Sequence, residues 1–415
     1  MRMLLDYVGT LTPSRLAVAG LAVALGALAG CHDDSSPNLP PIIPVPNSIA
    51  VADVNGDGEP DLVVATTADQ GYQQNPGYAD VILNTSGSLG TFKPGVHYST
   101  TGTNPSSIAV GNLTGSGGPD LVIANFGSGS VSVFMHEASG TYSNAVDWPT
   151  GGQPNQVVIS DLAGTGNNDL VLADMSASGN VIVLMGDGTG KFGTPTKLPT
   201  GLTTPSVAVG DLGSGVPDIV AAVYDSSGNN GAVMVFYQDP QQRGTFPTQA
   251  SFPAGAQPQS VKIADVNGDG LPDIIVANFG PGSDGAGTAG VSVLLQDKAN
   301  PGKFLAPVPY ATPGASIDVA VGDLDGDGKL DIVVANLAPN ATGSVSVLLQ
   351  DPTPANAGKF LAATNYAALG QPLSVVLADL NKDGHLDIAI ADGPSAGVLM
   401  NQGAGTFTPA TQVGF

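Results

Sequence analysis

The stretch DVNGDGEPD, residues 53–61, returns in nearly the same form as DVNGDGLPD at 265–273, DLDGDGKLD at 323–331 and DLNKDGHLD at 379–387. Each copy places carboxylate or amide side chains at positions 1, 3, 5 and 9 and a glycine at position 6. Three weaker copies, NLTGSGGPD at 112, DLAGTGNND at 161 and DLGSGVPD at 211, bring the total to seven. Successive copies begin 49 to 59 residues apart. This period falls in the range of propeller blades.

Each repeat carries four short apolar segments. The first precedes the acidic string and the second follows it, as in SIAVAD at 48 and DLVVA at 61, and the third is similar to VSVFM at 131. The fourth contains an aromatic residue and, six positions later, a second large apolar residue. The seven pairs are Phe92 and Tyr98, Tyr142 and Trp148, Phe192 and Leu198, Phe246 and Phe252, Phe304 and Tyr310, Phe360 and Tyr366, and Phe407 and Val413.

An even offset places both members of such a pair on one face of a strand. We therefore expect the fourth segment to be a strand with one buried face, packed between neighbouring blades. The same aromatic side chains would suit a sugar-stacking surface, but their constant register favours a core role.

Four strands in each of seven copies, with glycine turns and little helix signal, predict an all-β protein. The expected fold is a seven-bladed β-propeller of four-stranded antiparallel blades over residues 47–415, with each copy starting at the inner strand and ending at the outer one. Blades of this kind bury their faces against each other, and closure of the ring leaves no long exposed edge.

The acidic strings indicate a metal site. Oxygen ligands on a loop bent by glycine suit Ca²⁺ better than Zn²⁺ or Cu²⁺. An EF-hand loop begins similarly but needs a glutamate at position 12 and flanking helices, whereas position 12 here is Val64, Val276, Val334 or Ile390, within a predicted strand. The other interpretation is a tight turn whose Asp side chains accept hydrogen bonds from the backbone. Like charges at this density favour a counter-cation.

These repeats resemble FG-GAP repeats, also called VCBS repeats, of the integrin α-chain propeller type and its bacterial relatives. The resemblance covers about residues 47–415 and implies Ca²⁺ in the hairpin between the first and second strands of a blade, with about four structural ions. The implied side-chain ligands are Asp53, Asn55, Asp57, Asp61, Asp265, Asn267, Asp269, Asp273, Asp323, Asp325, Asp327, Asp331, Asp379, Asn381, Asp383 and Asp387. The implied carbonyl ligands belong to Glu59, Leu271, Lys329 and His385. At 112, 161 and 211 hydroxyls, Ala163 or glycines replace ligands, so no tightly bound ion is expected there.

The charge balance excludes one class of partner. Acidic residues outnumber basic ones 35 to 12, which gives a net charge of −23. Nucleic-acid surfaces need clustered Lys and Arg, so we expect no nucleic-acid partner.

The start of the chain predicts export. Residues 16–30, LAVAGLAVALGALAG, follow Arg15 and are too short for a comfortable membrane span. They end in LAGC at 28–31, which resembles a bacterial lipobox. The resemblance implies a signal peptide at 1–30 and a lipid anchor on Cys31. An ordinary secretory signal with an incidental cysteine is the alternative.

The next segment, residues 31–46, is rich in Ser and Pro and reads as a tether between the membrane and the propeller. By resemblance to bacterial sorting rules, His32 after the cysteine favours the outer membrane. We expect a monomer that is held at the cell envelope by its lipid.

The function is predicted to be binding. The few His residues occupy non-equivalent places, and no nucleophile motif or phosphate loop is present. Connections between second and third strands vary in length, as binding loops on a rigid scaffold do. The segment 66–80 carries Tyr72, Gln73, Gln74 and Tyr78, which suit a glycan or protein ligand, although a solvated loop without function is an equal alternative. A purely structural envelope scaffold and a carbohydrate-active enzyme, a polysaccharide lyase or hydrolase, are the other candidate functions.

Overall fold

The computed structural model describes residues 44–68, 76–85, 90–115, 117–228, 231–280, 289–338, 341–393 and 395–414. Within these ranges, the strands form seven antiparallel sheets, and each sheet contains four strands that are consecutive in the chain. The predicted seven-bladed propeller is therefore confirmed. The described residues contain no helix long and apolar enough to span a membrane.

Blade 1 contains β1 (Pro44–Ala52), β2 (Asp61–Ala68), β3 (Pro76–Ile82) and β4 (Val96–Thr103). Blade 2 contains β5 (Pro105–Gly111), β6 (Asp120–Asn125), β7 (Ser130–Phe134) and β8 (Val146–Pro149). Blade 3 contains β9 (Pro154–Ser160), β10 (Asp169–Asp174), β11 (Asn180–Leu184) and β12 (Thr196–Pro199). Blade 4 contains β13 (Thr203–Gly210), β14 (Asp218–Tyr224), β15 (Gly231–Tyr237) and β16 (Thr248–Pro253).

Blade 5 contains β17 (Pro258–Ala264), β18 (Asp273–Asn278), β19 (Gly290–Leu294) and β20 (Val308–Ala311). Blade 6 contains β21 (Ala315–Gly322), β22 (Asp331–Leu337), β23 (Ser344–Leu348) and β24 (Thr364–Ala367), with a 3-10 turn at Pro354–Asn356. Blade 7 contains β25 (Pro372–Ala378), β26 (Asp387–Asp392), β27 (Ser395–Leu399) and β28 (Thr411–Val413).

The second strand of each blade lies deepest in the blade. In blade 2, all six residues of β6 are buried, because adjacent blades cover both of its faces. Its sequence, DLVIAN, is accordingly a continuous apolar run rather than an alternating one. The outer strand differs: in β8 only Trp148 is half-buried and the other three residues are exposed.

The fourth segment departs from the prediction in its extent. Phe92 lies outside β4, in an isolated bridge with Asn84, and the strand starts only at Val96. The same break separates Tyr142 from β8 and Phe360 from β24, so one continuous strand over both aromatic positions was a wrong expectation.

The predicted packing of these aromatic residues between blades is confirmed. Tyr98 of blade 1 meets Tyr142 of blade 2 edge to face, with ring centroids 5.4 Å apart. Four further contacts of this kind join successive blades: Trp148 with Phe192, Phe252 with Phe304, Tyr310 with Phe360, and Tyr366 with Phe407. Each second aromatic residue therefore packs against the first aromatic residue of the following blade.

The hydrophobic core consists of seven clusters, and each cluster lies between two adjacent blades. One of them joins blade 7 to blade 1, with Leu380 and Val398 packed against Ile49 and Leu62. Both blades are built entirely from their own four strands. The ring therefore closes by side-chain packing and not by exchange of a strand.

The first strands line a central channel with a volume of about 630 Å³. At its inner wall, side chains of one blade accept hydrogen bonds from the backbone of the next: Ser48 Oγ accepts from Ile108 N at 3.3 Å, and Ser206 Oγ accepts from Val261 N at 3.1 Å. The same kind of contact joins blade 7 to blade 1, at what we call the seam of the ring. There Ser374 Oγ accepts a hydrogen bond from Ile49 N at 3.5 Å.

Candidate functional site

The seven repeated strings form the hairpin loops between the first and second strands of the blades, and we call them Asp loops. In the loop after β1, Asp53 Oδ1 accepts a hydrogen bond from Gly56 N at 2.7 Å and Oδ2 accepts one from Gly58 N at 2.8 Å. Both glycines have positive φ, 76° and 84°, which a residue without Cβ adopts at little cost. The bend brings the side chains of Asn55 and Asp57 together, so that Asn55 Nδ2 donates to Asp57 Oδ2 at 3.1 Å and Asn55 Oδ1 accepts from Asp57 N at 2.8 Å.

The loops at 265, 323 and 379 repeat this arrangement, and with the loop at 53 we call them the complete loops. The first Asp of each accepts from the backbone N–H groups of the turn, and examples are Asp265 with Gly270 at 2.8 Å and Asp323 with Gly328 at 3.0 Å. In the fourth loop, Lys382 occupies the position of the first glycine and has a positive φ of 56°.

The residues present in the loop at 323 fit a calcium ion. Asp323, Asp325 and Asp327 each offer one carboxylate oxygen, and these three oxygens lie within 4.8 Å of one another. Carboxylate oxygens grouped in this way form the donor set that Ca²⁺ prefers. One of the three is also paired with a cation, since Lys329 Nζ contacts Asp327 Oδ2.

The loops at 112, 161 and 211, which we call the degenerate loops, keep the turn but lack part of the donor set. Asp161 still accepts from Thr165 N at 3.0 Å and Gly166 N at 2.7 Å. Ala163 brings no oxygen to position 3. The capped turn therefore forms in both kinds of loop, whereas the full set of side-chain oxygens occurs only in the complete loops.

The Asp at position 9, which we call the closing Asp, has a second role that sequence reasoning missed. Asp61 is fully buried; its Oδ2 accepts from Val54 N at 3.0 Å and its Oδ1 from Asn84 N at 2.8 Å. The same pair of backbone bonds occurs in every blade, complete or degenerate, and the closing Asp residues are Asp61, Asp120, Asp169, Asp218, Asp273, Asp331 and Asp387. The closing Asp is also present in the three degenerate loops, and this recurrence was the sequence signal for its second role.

Burial sets the protonation behaviour of the closing Asp residues. Desolvation raises the pKa of Asp331 to about 6, although hydrogen bonds from the backbone N–H groups of Gln350 and Leu324 oppose the shift. Nearby carboxylates of the loop raise it further. The pKa values of Asp61, Asp273 and Asp387 are likewise raised to about 6 by burial. A buried carboxylate with this environment favours a neighbouring positive charge or a proton.

The predicted ligand-binding residues fall mostly outside the described part of the chain. Tyr72, Gln73 and Gln74 lie there, as does Cys31 with its predicted lipid. Tyr78 is described: it is half-buried in β3, and its ring stands 5.9 Å from that of His97, edge to face.

Beside Tyr78 lies a polar group that the sequence did not reveal. His97 Nδ1 makes a short contact with Oδ1 of the buried Asp80, and Thr66 Oγ1 donates to Asp80 Oδ2 at 2.6 Å. These residues sit on three neighbouring strands of blade 1, and their alignment requires the strand register. Blade 2 has a ladder in the same register without a histidine, in which Ser132 Oγ donates to Asp147 Oδ1 at 2.6 Å.

The mouth of the channel is polar on the face that carries the connections between second and third strands. Asn47, Ser106, Asn155 and Gln259 line that end, whereas Val51, Val110, Ile159 and Leu377 line the end near the Asp loops. Among the described residues that line the channel, Lys262 is the one basic side chain, and it forms no ion pair with a described residue.

Seven radial sheets of four strands define the class of this protein as a β-propeller. The model of the FG-GAP-like repeat family matches residues 53–123, 212–276 and 278–334. The chain therefore contains FG-GAP-like repeats, as its acidic hairpins predicted. A propeller of this kind is a scaffold suited to binding. No curated protein matches the chain.

Solved structures share the fold at low sequence identity. A candidate 6-phosphogluconolactonase from Bacteroides fragilis is 14% identical, with a TM-score of 0.56 over 92% of this chain and 98% of that chain. A candidate 6-phosphogluconolactonase from Bacteroides uniformis is 15% identical, with a TM-score of 0.55 over 84% and 95%. A lectin from Agrocybe aegerita that recognises non-reducing terminal N-acetylglucosamine is 20% identical, with a TM-score of 0.49 over 88% and 93%. These similarities concern the fold alone.

Proposed function

We propose that this protein is a calcium-stabilised binding or scaffold lipoprotein of the bacterial cell envelope. The observation that carries the proposal is the contrast between the two kinds of Asp loop. Four loops carry a complete set of side-chain oxygen donors in their sequence and three do not, and in the loop at 323 three carboxylate oxygens lie within 4.8 Å of one another, although the first residue of every loop accepts hydrogen bonds from the backbone of its turn.

The proposed role of the ions is structural. In the loop at 323, the side chains of Asp323, Asp325 and Asp327 and the carbonyl of Lys329 would hold Ca²⁺ inside a hairpin. When bound, the ion would supply the positive charge that a cluster of carboxylates needs. The proposed ligands all come from one hairpin. An ion that binds this hairpin in the folded chain would stabilise the folded state by linkage.

We place ligand binding on the face opposite the Asp loops. The connections of variable length lie there, and so does the polar mouth of the channel, with Tyr78 at the start of β3. Variable loops on a rigid frame are a common location for recognition. The proposed ligand is a glycan or a protein.

We further propose that residues 1–30 are removed on export, that Cys31 carries the lipid and that the propeller acts as a monomer. The tether, predicted at 31–46, would hold the propeller away from an outer membrane, although its last three residues already belong to β1. Radiolabelled palmitate tests the anchor: labelling of the chain that Cys31→Ser abolishes is the expected result, and equal labelling of the variant would contradict it.

A glycan array, probed with the chain in Ca²⁺ and again in EGTA, tests the binding role. We expect binding that chelation weakens and that Tyr78→Ala reduces, with Tyr98→Ala, a variant at an inter-blade aromatic position, as the control for folding. Binding unaffected by Tyr78→Ala would contradict the placement of the site. If no glycan binds, crosslinking to envelope proteins separates a protein ligand from a scaffold without one.

A carbohydrate-active enzyme is the second candidate, because His97 is half-exposed and paired with the buried Asp80. Polysaccharides incubated with the chain would then yield new reducing ends or unsaturated products, and His97→Ala would abolish them. The primary proposal expects no such products.

A further inference from the structure

The complete and degenerate loops differ in a second feature, which lies in the following blade. In each blade, a single residue just beyond the end of the third strand donates its backbone N–H to the closing Asp. We call it the bridge residue. The bridge residues are Asn84, His136, Gly186, Gln238, Gln296, Gln350 and Asn401. Four of them also donate a side-chain N–H to the Asp loop of the preceding blade.

The acceptor is always the carbonyl of loop position 2. His136 Nε2 donates to Val54 O at 3.0 Å, and Gln350 Nε2 donates to Val266 O at 2.6 Å. Asn401 Nδ2 donates to Leu324 O at 2.8 Å. The Nδ1 of His136 accepts from Gly118 N at 3.1 Å, which leaves the proton on Nε2.

The fourth bond crosses the seam between the two ends of the chain. Asn84 Nδ2 of blade 1 donates to Leu380 O of blade 7 at 2.8 Å. A second contact joins the same two loops, since Lys382 Nζ donates to Glu59 Oε1 at 3.0 Å. Glu59 is buried and Lys382 is half-exposed, and their ion pair links two complete loops.

The three remaining bridge residues make no such bond within the described chain. Gly186 has no side chain, and the amides of Gln238 and Gln296 instead donate to Pro217 O and Pro272 O of their own blades. The loops left without the inter-blade bond from a bridge residue are those at 112, 161 and 211, which are the degenerate ones. Four complete loops have the bond and three degenerate loops lack it, so the two features coincide throughout the ring.

Position 2 is a suitable place to fix a metal loop. In the loop at 265, Val266 N donates to the closing Asp273 at 3.0 Å, and Val266 O accepts from Gln350 of the next blade. Val266 lies between ligand positions 1 and 3, and its backbone N–H and its carbonyl are thereby both hydrogen-bonded. The peptide that carries the carbonyl of Val266 also carries the N–H of Asn267, so the bond orients a proposed ligand before any ion arrives.

We propose that these four inter-blade bonds preorganise the calcium loops, and that each ion is consequently coupled to the interface with the next blade. Asn84, His136, Gln350 and Asn401 are then positioning residues for Ca²⁺. The inference rests on the proposed calcium sites. It extends them by linking blades 5, 6, 7 and 1, including the seam, into one calcium-dependent unit that also contacts blade 2 through His136. Partners that fix metal ligands from outside typically change metal affinity by about 10- to 100-fold when removed.

The test compares two variants in the full chain by calorimetric titration with Ca²⁺. Gln350→Met keeps the side-chain volume and loses the bonds to Leu330 O and Val266 O, of which the latter crosses between blades. Gln238→Met loses its own-blade bonds alone and serves as the matched control. We expect Gln350→Met to weaken one site by about 10- to 100-fold and Gln238→Met to leave every affinity unchanged.

Equal affinities in the two variants would overturn the coupling while leaving the calcium sites intact. A wild-type chain that binds no Ca²⁺ would overturn the proposed sites and the coupling with them. If Gln350→Met fails to fold, Asn401→Leu gives the same comparison at the loop at 323, with the same expected loss and the same contradicting result.

Discussion

Blades 2, 3 and 4 and blades 5, 6, 7 and 1 form two contiguous arcs of one ring, which we call the degenerate arc and the complete arc. Both arcs have the same four-stranded sheets, the same inter-blade clusters and the same buried closing Asp. They differ in the oxygen donors of the Asp loops and in the side-chain bonds between a bridge residue and the preceding loop. The blade fold therefore requires the closing Asp and the apolar strands but not a complete loop.

The position of the complete arc is informative. It contains the seam where blade 7 meets blade 1, and no strand is shared across that seam. The degenerate arc is continuous in the chain, so peptide bonds hold its blades in sequence. In our proposal, the ions and the inter-blade bonds stabilise the part of the ring where covalent continuity is absent.

The largest expected effect is one that both arcs share. Asp169→Ala in blade 3 and Asp331→Ala in blade 6 each leave two buried backbone N–H groups without an acceptor, at a cost of about 2–5 kcal/mol in the free energy of unfolding. Urea unfolding with and without Ca²⁺ measures it. For Asp169→Ala the loss should be the same in both conditions, whereas for Asp331→Ala it should be greater in Ca²⁺; a calcium-dependent loss at Asp169 would contradict the distinction between the arcs.

Removal of calcium by chelation should affect the two arcs differently. EGTA is expected to lower the melting temperature by several degrees, because removal of a ligand of the folded state destabilises it. Hydrogen exchange followed by mass spectrometry should show faster exchange in the second strands β18, β22, β26 and β2 and unchanged exchange in β6, β10 and β14. Uniform acceleration around the ring would count against a calcium-dependent arc.

The pH dependence should reverse with calcium. The folded-state pKa of the closing Asp residues in the complete arc is about 6 against an ordinary value of 3.8. A raised pKa means that the folded state binds protons more readily, so in EGTA the melting temperature should rise as the pH falls from 7 through 6. With Ca²⁺ present, protons compete with the ion and the melting temperature should fall over the same range. Parallel slopes in the two buffers would refute the proposal.

The smallest expected effect concerns the seam. Lys382→Met removes the cation that faces the buried Glu59 and should cost about 1–2 kcal/mol, since the lysine is half-exposed and the carboxylate is not. Lys262→Met, at an unpaired lysine of the channel, is the control and should leave the free energy of unfolding nearly unchanged. Thermal denaturation of both variants would decide, and equal stability of the two would contradict a role for the ion pair.

The sequence was sufficient for the fold because the repeat signals are local. The acidic string marks one hairpin, the following apolar run marks a strand buried on both faces, and the aromatic pair of each outer segment has a constant spacing. Seven such units leave few architectures other than a propeller. The extent of the outer strand was predicted less well, because the spacing of Phe92 and Tyr98 suggested one continuous strand, whereas Phe92 makes an isolated bridge and β4 begins only at Val96.

The side-chain hydrogen bonds between blades could not be predicted from the sequence in this way. The bridge residues share a register but not a residue type, since they include Asn, His, Gly and Gln, and their acceptors lie in a different repeat. The pairing of Asp80 with His97 depends on the alignment of two strands. The sequence predicted the closing Asp as a metal ligand or as part of a capped turn, but it did not show the two backbone partners, which lie 7 and 23 residues away in blade 1.

The number of calcium ions bound per chain tests the central claim most directly. Equilibrium dialysis against saturating Ca²⁺, followed by elemental analysis, should give four ions for the wild-type chain and three when Asp325→Ala and Asp327→Ala are combined. A value of zero would contradict calcium as the cofactor. A value of seven would contradict the division between the complete and the degenerate arc.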